Sequence, residues 1–162
     1  MSMAKKSAKK KSSQPKLIQN RRARHDYNLD GSFVVGIVLT GAETKALRKG
    51  HGQLRGSYIT IKDNELWLIN STISGMPGIP IAEESQTRTR KLLAKRKEID
   101  QLIQLKHQGQ TIVPLEVLTQ GRFIKVRISA GRGKKLYDKR QTLKARAEAR
   151  EARSMIKEKS RA

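Results

Sequence analysis

Hydrophobic residues alternate with smaller or polar residues along several stretches of the chain, which is the period of a strand with one buried face. The predicted strands lie within residues 26–40, 57–62, 65–70, 111–118 and 122–129. Asp30-Gly31 divides the first stretch into a strand pair, while Asp63-Asn64 and Gln120-Gly121 mark the turns of two hairpins. Because Pro114 lacks an amide hydrogen, its strand is expected at an edge or a bulge. The pattern predicts about six short strands.

Two segments between these strands predict helices. Thr40 and Glu43 have the spacing of a capping box, which predicts a short helix over residues 42–49 and gives Glu43 a capping role. Residues 87–108 carry an apolar stripe at the helical period and predict a long helix. Six bases crowd its N-terminal half, where the helix dipole opposes cations, and an external anion would relieve that conflict. Residues 76–86 contain two prolines and no periodicity, which is typical of a loop.

These elements predict a mainly β fold with accessory helices. Strand-rich domains of this size avoid open edges by closing, so we expect an oligonucleotide-binding-like closed β-barrel of about six antiparallel strands. The barrel domain is expected to span residues 20–131. Trp67 and Leu93 are both expected to pack in its core.

Charge is concentrated at the two ends of the chain. Of 162 residues, 36 are Lys or Arg and 14 are Asp or Glu, a net charge of +22, and residues 1–25 contain no acid. A nucleic acid is the commonest polyanion to neutralise such charge, and an anionic membrane surface is the alternative. Residues 1–19 are predicted to form a disordered basic arm. Residues 132–162 form a basic tail that favours helix from 142 to 159 but folds only on a partner.

Composition also excludes several classes of function. The chain has no cysteine, and its three histidines are scattered, so no metal and no other cofactor are expected. No apolar run is long enough to span a membrane and no signal peptide is evident, so a cytoplasmic location is expected. The acids lack the grouping that a nuclease needs, which argues against an enzyme or a small-molecule substrate. We expect a monomer.

Four motifs occur in a specific order along the chain. They are Asn-Arg-Arg-Ala-Arg-His-Asp-Tyr at residues 20–27, Gly-Ile-Val-Leu-Thr-Gly-Ala-Glu-Thr-Lys at 36–45, Arg-Thr-Arg-Lys-Leu-Leu at 88–93 and Gly-Lys-Lys-Leu-Tyr-Asp-Lys-Arg at 133–140. In this order and at these separations the sequence closely resembles the SsrA-binding protein family, small protein B, from about residue 20 to residue 140. The resemblance implies the same barrel that the residue pattern predicts.

The resemblance also implies a function in trans-translation. Members bind the tRNA-like domain of transfer-messenger RNA (tmRNA) and deliver it to ribosomes stalled on messages without a stop codon. Their tail enters the 16S rRNA decoding centre and the empty message channel, and it becomes helical there. The stalled peptide is then tagged for degradation and the ribosome is rescued.

The same resemblance implies two sets of site residues. The set for tmRNA binding is Asn20, Arg22, Arg24, His25, Lys45, Arg48, Lys91 and Lys125. The set for the decoding centre and message channel is Gly133, Lys134, Lys135, Tyr137, Asp138, Lys139, Arg140, Met155 and Ile156. Asn20 and His25 are expected to read bases, basic side chains to contact phosphates, and Tyr137 to stack on an rRNA base. A solvated cationic surface, or for His25 a buried histidine, is the alternative.

The sequence departs from the family pattern at three places. Val34 stands where many members have glutamate, residues 76–86 lack an Asn-His-Asp-Pro-like run, and Glu148 replaces a bulky tail residue. Two other functions also stay open: a ribosomal or assembly protein bound permanently to rRNA, and an RNA-processing enzyme.

Overall fold

The structure is a computed structural model that describes residues 17–159. In chain order its elements are β1 (Ile18–Gln19), α1 (Arg21–Asp26), β2 (Tyr27–Ile37), α2 (Gly41–Arg48), β3 (Gly52–Gln53), β4 (Tyr58–Lys62), β5 (Glu65–Ile69), β6 (Thr72–Ile73), α3 (Glu83–Gln86), β7 (Arg90–Leu93), α4 (Arg96–His107), β8 (Thr111–Leu118), β9 (Lys125–Gly133) and α5 (Leu136–Lys159). Most of the predicted basic arm, residues 1–16, lies outside the described residues. Its end does not, because β1 pairs with β8 and so belongs to the folded domain.

Six of the strands close into a ring. They pair in the order β8, β4, β5, β7, β2 and β9, and β9 pairs in turn with β8, so that every neighbour is antiparallel. The register of β8 shifts between Pro114 and Glu116, which confirms the bulge expected at the proline. The ring confirms the predicted closed barrel. β3 and β6 form a separate two-stranded sheet.

The barrel interior is filled by alternate residues of each strand. This core cluster consists of Val35, Ile59, Leu66, Leu68, Leu92, Leu102, Ile112, Val126, Ile128 and Ala130. Leu102 comes from α4 and is fully buried, so the apolar stripe of that helix packs on the barrel. A second cluster joins α2 to β1 and to the end of β8, through Leu47, Ile18 and Val117. These two clusters fix α2 and α4 against the sheet.

The predicted break in the first strand pair is wrong. β2 runs through it as one strand, and its pairing with β9 shifts register between Asp30 and Phe33. Gly31 has φ +64°, which a glycine adopts without strain, so the Asp30-Gly31 signal marks a bulge.

The predicted helix over residues 87–108 is correct only from Arg96 onwards. Residues Arg90–Leu93 form β7, with Arg90 and Leu92 pointing inwards, because this strand joins β5 to β2 and completes the ring. The predicted loop 76–86 contains α3, a single turn. Trp67 and Leu93 lie on the outer face, where Trp67 is half-buried and Leu93 is 53% exposed, so their expected core packing is wrong.

The last strand and the tail helix both differ in length from the prediction. β9 continues to Gly133, so the predicted domain boundary after residue 131 falls inside a strand. Gly131 is required there, since a Cβ atom would lie 2.4 Å from the carbonyl oxygen of Asn28 on β2. The tail helix α5 begins at Leu136, six residues before the predicted start at 142. Folding of the tail only on a partner stays a prediction.

Candidate nucleic-acid interface

Asn20 is buried at the start of α1, with 7% of its surface exposed. Its Oδ1 accepts a hydrogen bond from the amide of Ala23 at 3.2 Å, which caps the helix. Its Nδ2 donates to the carbonyl oxygen of Pro114 at 3.1 Å, which ties the helix to β8. Both ends of this predicted base reader are therefore used inside the protein, and the geometry makes Asn20 a positioning residue for α1.

The cap fixes which side chains of α1 face outwards. Ala23 is buried, whereas Arg22 and Arg24 are exposed on either side of it. His25 is neither fully buried nor free, since its side chain is 26% exposed and its Nδ1 lies 3.1 Å from Asp26 Oδ1. Arg22, Arg24 and His25 form what we name the α1 surface.

Two shallow grooves adjoin the α1 surface. One, of about 580 Å³, lies between α1 and the chain that follows α2, and the other, of about 490 Å³, leads towards Tyr58 on β4. Arg22 and Arg55 line both grooves. The sequence reasoning missed Arg55, because it stands outside the recognised motifs.

The second helix presents two further bases. Its capping box is complete, because Thr40 Oγ1 accepts from the amide of Glu43 and the Glu43 carboxylate accepts from the amide of Thr40 at 2.8 Å. This confirms the predicted capping role of Glu43. Lys45 and Arg48 lie exposed on the resulting helix. Arg48 Nη2 donates to the carbonyl oxygens of Gly121 and Arg122, both at 3.0 Å, and so holds the loop between β8 and β9.

A buried ionic network fixes the start of α2 to β7. Glu43 is 1% exposed, and its Oε2 lies 2.6 Å from Arg88 Nη2. Its Oε1 accepts from Nη2 of Arg90, a fully buried arginine, at 2.9 Å. Arg90 also donates to the Ser71 carbonyl oxygen at 3.0 Å. Arg88 and Arg90, two of the six basic residues predicted to crowd a helix N-terminus, thus share one internal carboxylate.

The charges in this network shift one another's protonation. Burial by itself would raise the pKa of the Glu43 carboxyl, but hydrogen bonds from Arg88 and Thr40 and the charge of Arg90 outweigh it and lower the pKa overall. Burial lowers the pKa of the Arg90 guanidinium, against the opposing effect of Glu43. Both groups stay ionised at neutral pH. No sequence signal shows Arg90 facing inwards, because residues 88–93 do not alternate apolar with polar positions as a half-buried strand does.

The remaining predicted bases lie on the outer face of the barrel. Lys91 is on β7, half-buried, and forms an ion pair with Glu65 of β5. Lys125 begins β9 and is exposed, and it is opposite Gly36 of β2, which in turn is opposite Leu93. The amide of Val38, just before α2, donates to the carbonyl oxygen of Lys91 at 2.9 Å, and Arg48 of α2 holds the loop that precedes Lys125. We name Lys45, Arg48, Lys91 and Lys125 the α2 surface. The predicted tmRNA residues are therefore carried by two sets of elements, α1 on the one hand and α2, β7 and β9 on the other.

The first residues of the predicted tail set lie next to α1. Gly133 is the last residue of β9, and the amide of Lys134 donates to the carbonyl oxygen of Asp26 at 2.8 Å. Lys134 Nζ also donates to the carbonyl oxygen of Arg24 at 3.3 Å. The other tail residues of the predicted set lie just before α5, in its first turns or near its end: Lys135, Tyr137, Asp138, Lys139, Arg140, Met155 and Ile156. Tyr137, Met155 and Ile156 are 66%, 63% and 68% exposed, as groups available to a partner would be.

Within residues 17–159, no three His, Cys, Asp or Glu side chains group in a way that could hold a metal ion. No helix in the same part of the chain is both long and apolar enough to cross a membrane. The closed six-stranded barrel, with exposed bases on two helices and a cationic helix beyond them, is typical of a small RNA-binding β-barrel protein.

The chain belongs to the SmpB protein family, whose model matches residues 17–158. It is similar to the SsrA-binding protein of Halalkalibacterium halodurans, with 41% identity over 90% of this chain and 95% of the relative. It is similar to the SsrA-binding protein of a Roseiflexus species, with 43% identity over 88% and 91%. A solved structure described as "tmRNA-SmpB: a journey to the center of the bacterial ribosome" matches with a TM-score of 0.60 and 36% identity, over 74% of this chain and 85% of that one. These findings confirm the family resemblance.

Proposed function

We propose that the protein is an adaptor of trans-translation, which binds the tRNA-like domain of tmRNA and delivers it to ribosomes stalled without a stop codon. The observation that carries this proposal is the SmpB family match over almost the whole described chain, together with relatives named SsrA-binding protein. The net charge of +22 supports a polyanionic partner.

The RNA contacts proposed for the barrel are mainly electrostatic. Lys45, Arg48, Lys91 and Lys125 of the α2 surface, with Arg22, Arg24 and His25 of the α1 surface, contact phosphates or bases of the tRNA-like domain. Helices α1 and α2 are fixed by the Asn20 cap and the Glu43 network, and Lys91 and Lys125 lie on strands of the barrel, so little ordering is needed when RNA binds. Asn20 acts by positioning α1.

The tail is proposed to act on the ribosome. The part of the chain that would enter the 16S rRNA decoding centre and the message channel consists of residues 133–140, Met155 and Ile156. There, α5 presents basic side chains to the surrounding rRNA. Tyr137 is exposed at the start of α5 and is available to stack on a base. The tail thereby permits peptide tagging and release of the ribosome.

A non-enzymatic role fits the buried acids. Glu43 is held by two arginines, and Glu116 pairs with Arg127 at 2.6 Å, so neither carboxylate is placed as a free general base. A permanent ribosomal protein explains the charge equally well but does not explain relatives that are named for binding SsrA.

The test is capture of RNA by the full-length protein, followed by sequencing and by binding assays over a range of salt concentrations. We expect an RNA with a tRNA-like end, and a protein that washes off ribosomes in salt. Lys45→Ala and Arg24→Ala should each reduce the slope of log affinity against log salt by roughly one charge. The matched control is Lys62→Ala, which removes an exposed lysine of β4 outside the α1 and α2 surfaces and should leave the slope unchanged. Captured material without a tRNA-like RNA would overturn the proposal.

A further inference from the structure

An aromatic ring projects from the loop between β8 and β9. Phe123 is 69% exposed, more than any other aromatic residue of the described chain, and the Arg122 guanidinium lies 5.4 Å from the centre of its ring. A single exposed apolar residue is ordinary on a protein surface, so exposure alone assigns no role. The surroundings of this ring provide the further observations.

The backbone on both sides of Phe123 is held in place. On one side Arg48 donates to the carbonyl oxygens of Gly121 and Arg122, and on the other Ile124 is only 6% exposed and packs in the cluster beneath α2. The exposed ring therefore stands between a clamped turn and a buried neighbour. Because the backbone here is already fixed, little ordering of the loop is needed when the ring meets a ligand.

The charged side chains of this loop are of one sign. Residues 119–125 contain two bases, Arg122 and Lys125, and no acid, and Arg48 lies against the same loop. An unpaired RNA nucleotide offers a π-face and a phosphate together, which matches a ring bordered by cations. An apolar protein partner would leave these cations without counter-charges.

We propose that Phe123 is a stacking residue for an unpaired base of the RNA bound at the α2 surface, with Arg122 beside it on the adjoining phosphate. Besides its own proposed contact with the RNA, Arg48 then positions this loop. The inference rests on the proposed function, because it takes the bound RNA to be the tRNA-like domain.

The test compares full-length Phe123→Ala, Phe123→Leu and Phe123→Trp in binding to a transcript of the tRNA-like domain. The alanine and leucine variants should bind roughly 5- to 100-fold more weakly, as loss of one stacked base predicts, while tryptophan keeps the affinity. The slope of log affinity against log salt should stay unchanged in Phe123→Ala and fall by about one charge in Arg122→Ala. Thermal unfolding should be unaffected in all four variants, because both side chains are exposed.

A fluorescence measurement separates stacking from a change of fold. In a Trp67→Phe background, Phe123→Trp gives a single tryptophan whose emission should be quenched when the RNA binds. Equal affinity of wild type, Phe123→Ala and Phe123→Leu, or no quenching, would overturn the stacking role while leaving the proposed function intact. Failure of the wild-type protein to bind the tRNA-like RNA would overturn both.

Discussion

Lys139 Nζ lies 3.2 Å from Asp26 Oδ1, which joins the beginning of the tail helix to the end of α1. Asp26 also pairs with His25 through the same oxygen and accepts the amide of Lys134 on its carbonyl. The hydrogen bond with His25 contributes most to lowering the pKa of Asp26, and Lys139 adds to it, against burial that raises the pKa. Through its side chain and its carbonyl oxygen, Asp26 therefore connects α1 to α5 and to the residue that follows β9.

Asp26→Asn should loosen the first turns of α5. The pair is about a third exposed, so the loss of stability should be below about 1 kcal/mol, but hydrogen exchange at Lys139 and its neighbours should rise. Because the folded pKa of Asp26 lies below its unfolded value, the contribution is present above that unfolded value and is lost as pH falls through the folded pKa, below about pH 4. Glu148→Gln, in an exposed pair on the same helix, is the control and should leave exchange at Lys139 unchanged. Equal exchange in both variants would contradict the link.

Glu43→Gln should destabilise the barrel strongly. Arg90 would keep its buried charge without a counter-charge, and breaking such a pair costs about 3–5 kcal/mol, measurable by urea unfolding. Because the pKa of Glu43 is lower in the folded than in the unfolded protein, the free energy of unfolding of the wild type should fall as pH drops through the folded pKa. In the variant this free energy should depend less on pH over the same acidic range. The control Glu65→Gln removes the much more exposed pair with Lys91 and should cost less than about 1 kcal/mol. A similar cost for both would show that burial of the network does not matter.

Gly131→Ala should destabilise the contact between β9 and β2. The new methyl group would meet the backbone oxygen of Asn28 at 2.4 Å, and backbone cannot yield as a flexible side chain does, so a cost of about 3 kcal/mol is expected. Gly133→Ala is the matched control on the same strand, because a Cβ atom there meets nothing within 4 Å. Thermal unfolding of the two variants measures the difference. Equal midpoints would show that β2 and β9 can separate at this point without loss.

Asn20→Ala should lower stability by about 1–2 kcal/mol, because it removes a helix cap and leaves the Pro114 carbonyl without its donor. If RNA affinity falls, the slope of log affinity against log salt should stay unchanged, as expected of a positioning residue. Arg22→Ala, on the same helix but exposed, should do the opposite: reduce the slope and leave the unfolding midpoint unchanged. A reduced slope for Asn20→Ala would place that residue among the phosphate contacts instead.

Removal of residues 136–162 should separate RNA binding from tagging. The cut follows β9 and keeps Lys134, so the barrel stays complete and affinity for the tRNA-like RNA should change little. Peptide tagging in a reconstituted translation system should be lost, because the tail is the proposed ribosomal part. Equal loss of binding and tagging would contradict this division of labour. Tyr137→Ala in the intact chain should give a partial tagging defect.

The closed barrel could be predicted because hydrophobic residues that face the core recur at every second position along the strands, as Leu66 and Leu68 do. The bulge at Pro114 could be predicted because proline has no amide hydrogen. The strand Arg90–Leu93 could not, since its residues favour helix locally and become a strand only because β5 and β2 need a partner between them. Glu43 gave a clear capping signal, yet its arginine partners lie 45 and 47 residues away, and sequence spacing carries no information about such a meeting. The division of the basic residues into two surfaces escaped prediction for the same reason.

β9 extends from Lys125, at the α2 surface, to Gly133, where the tail begins. At about 3.4 Å per residue its ends are roughly 27 Å apart, and pairing along both sides keeps that separation constant. β9 would hold two RNA segments bound at these ends at a fixed distance from each other. A flexible linker in its place would add an entropic penalty to the second binding event. An inserted residue in this strand would therefore disturb the joint engagement of both sites far more than one inserted near the end of the tail.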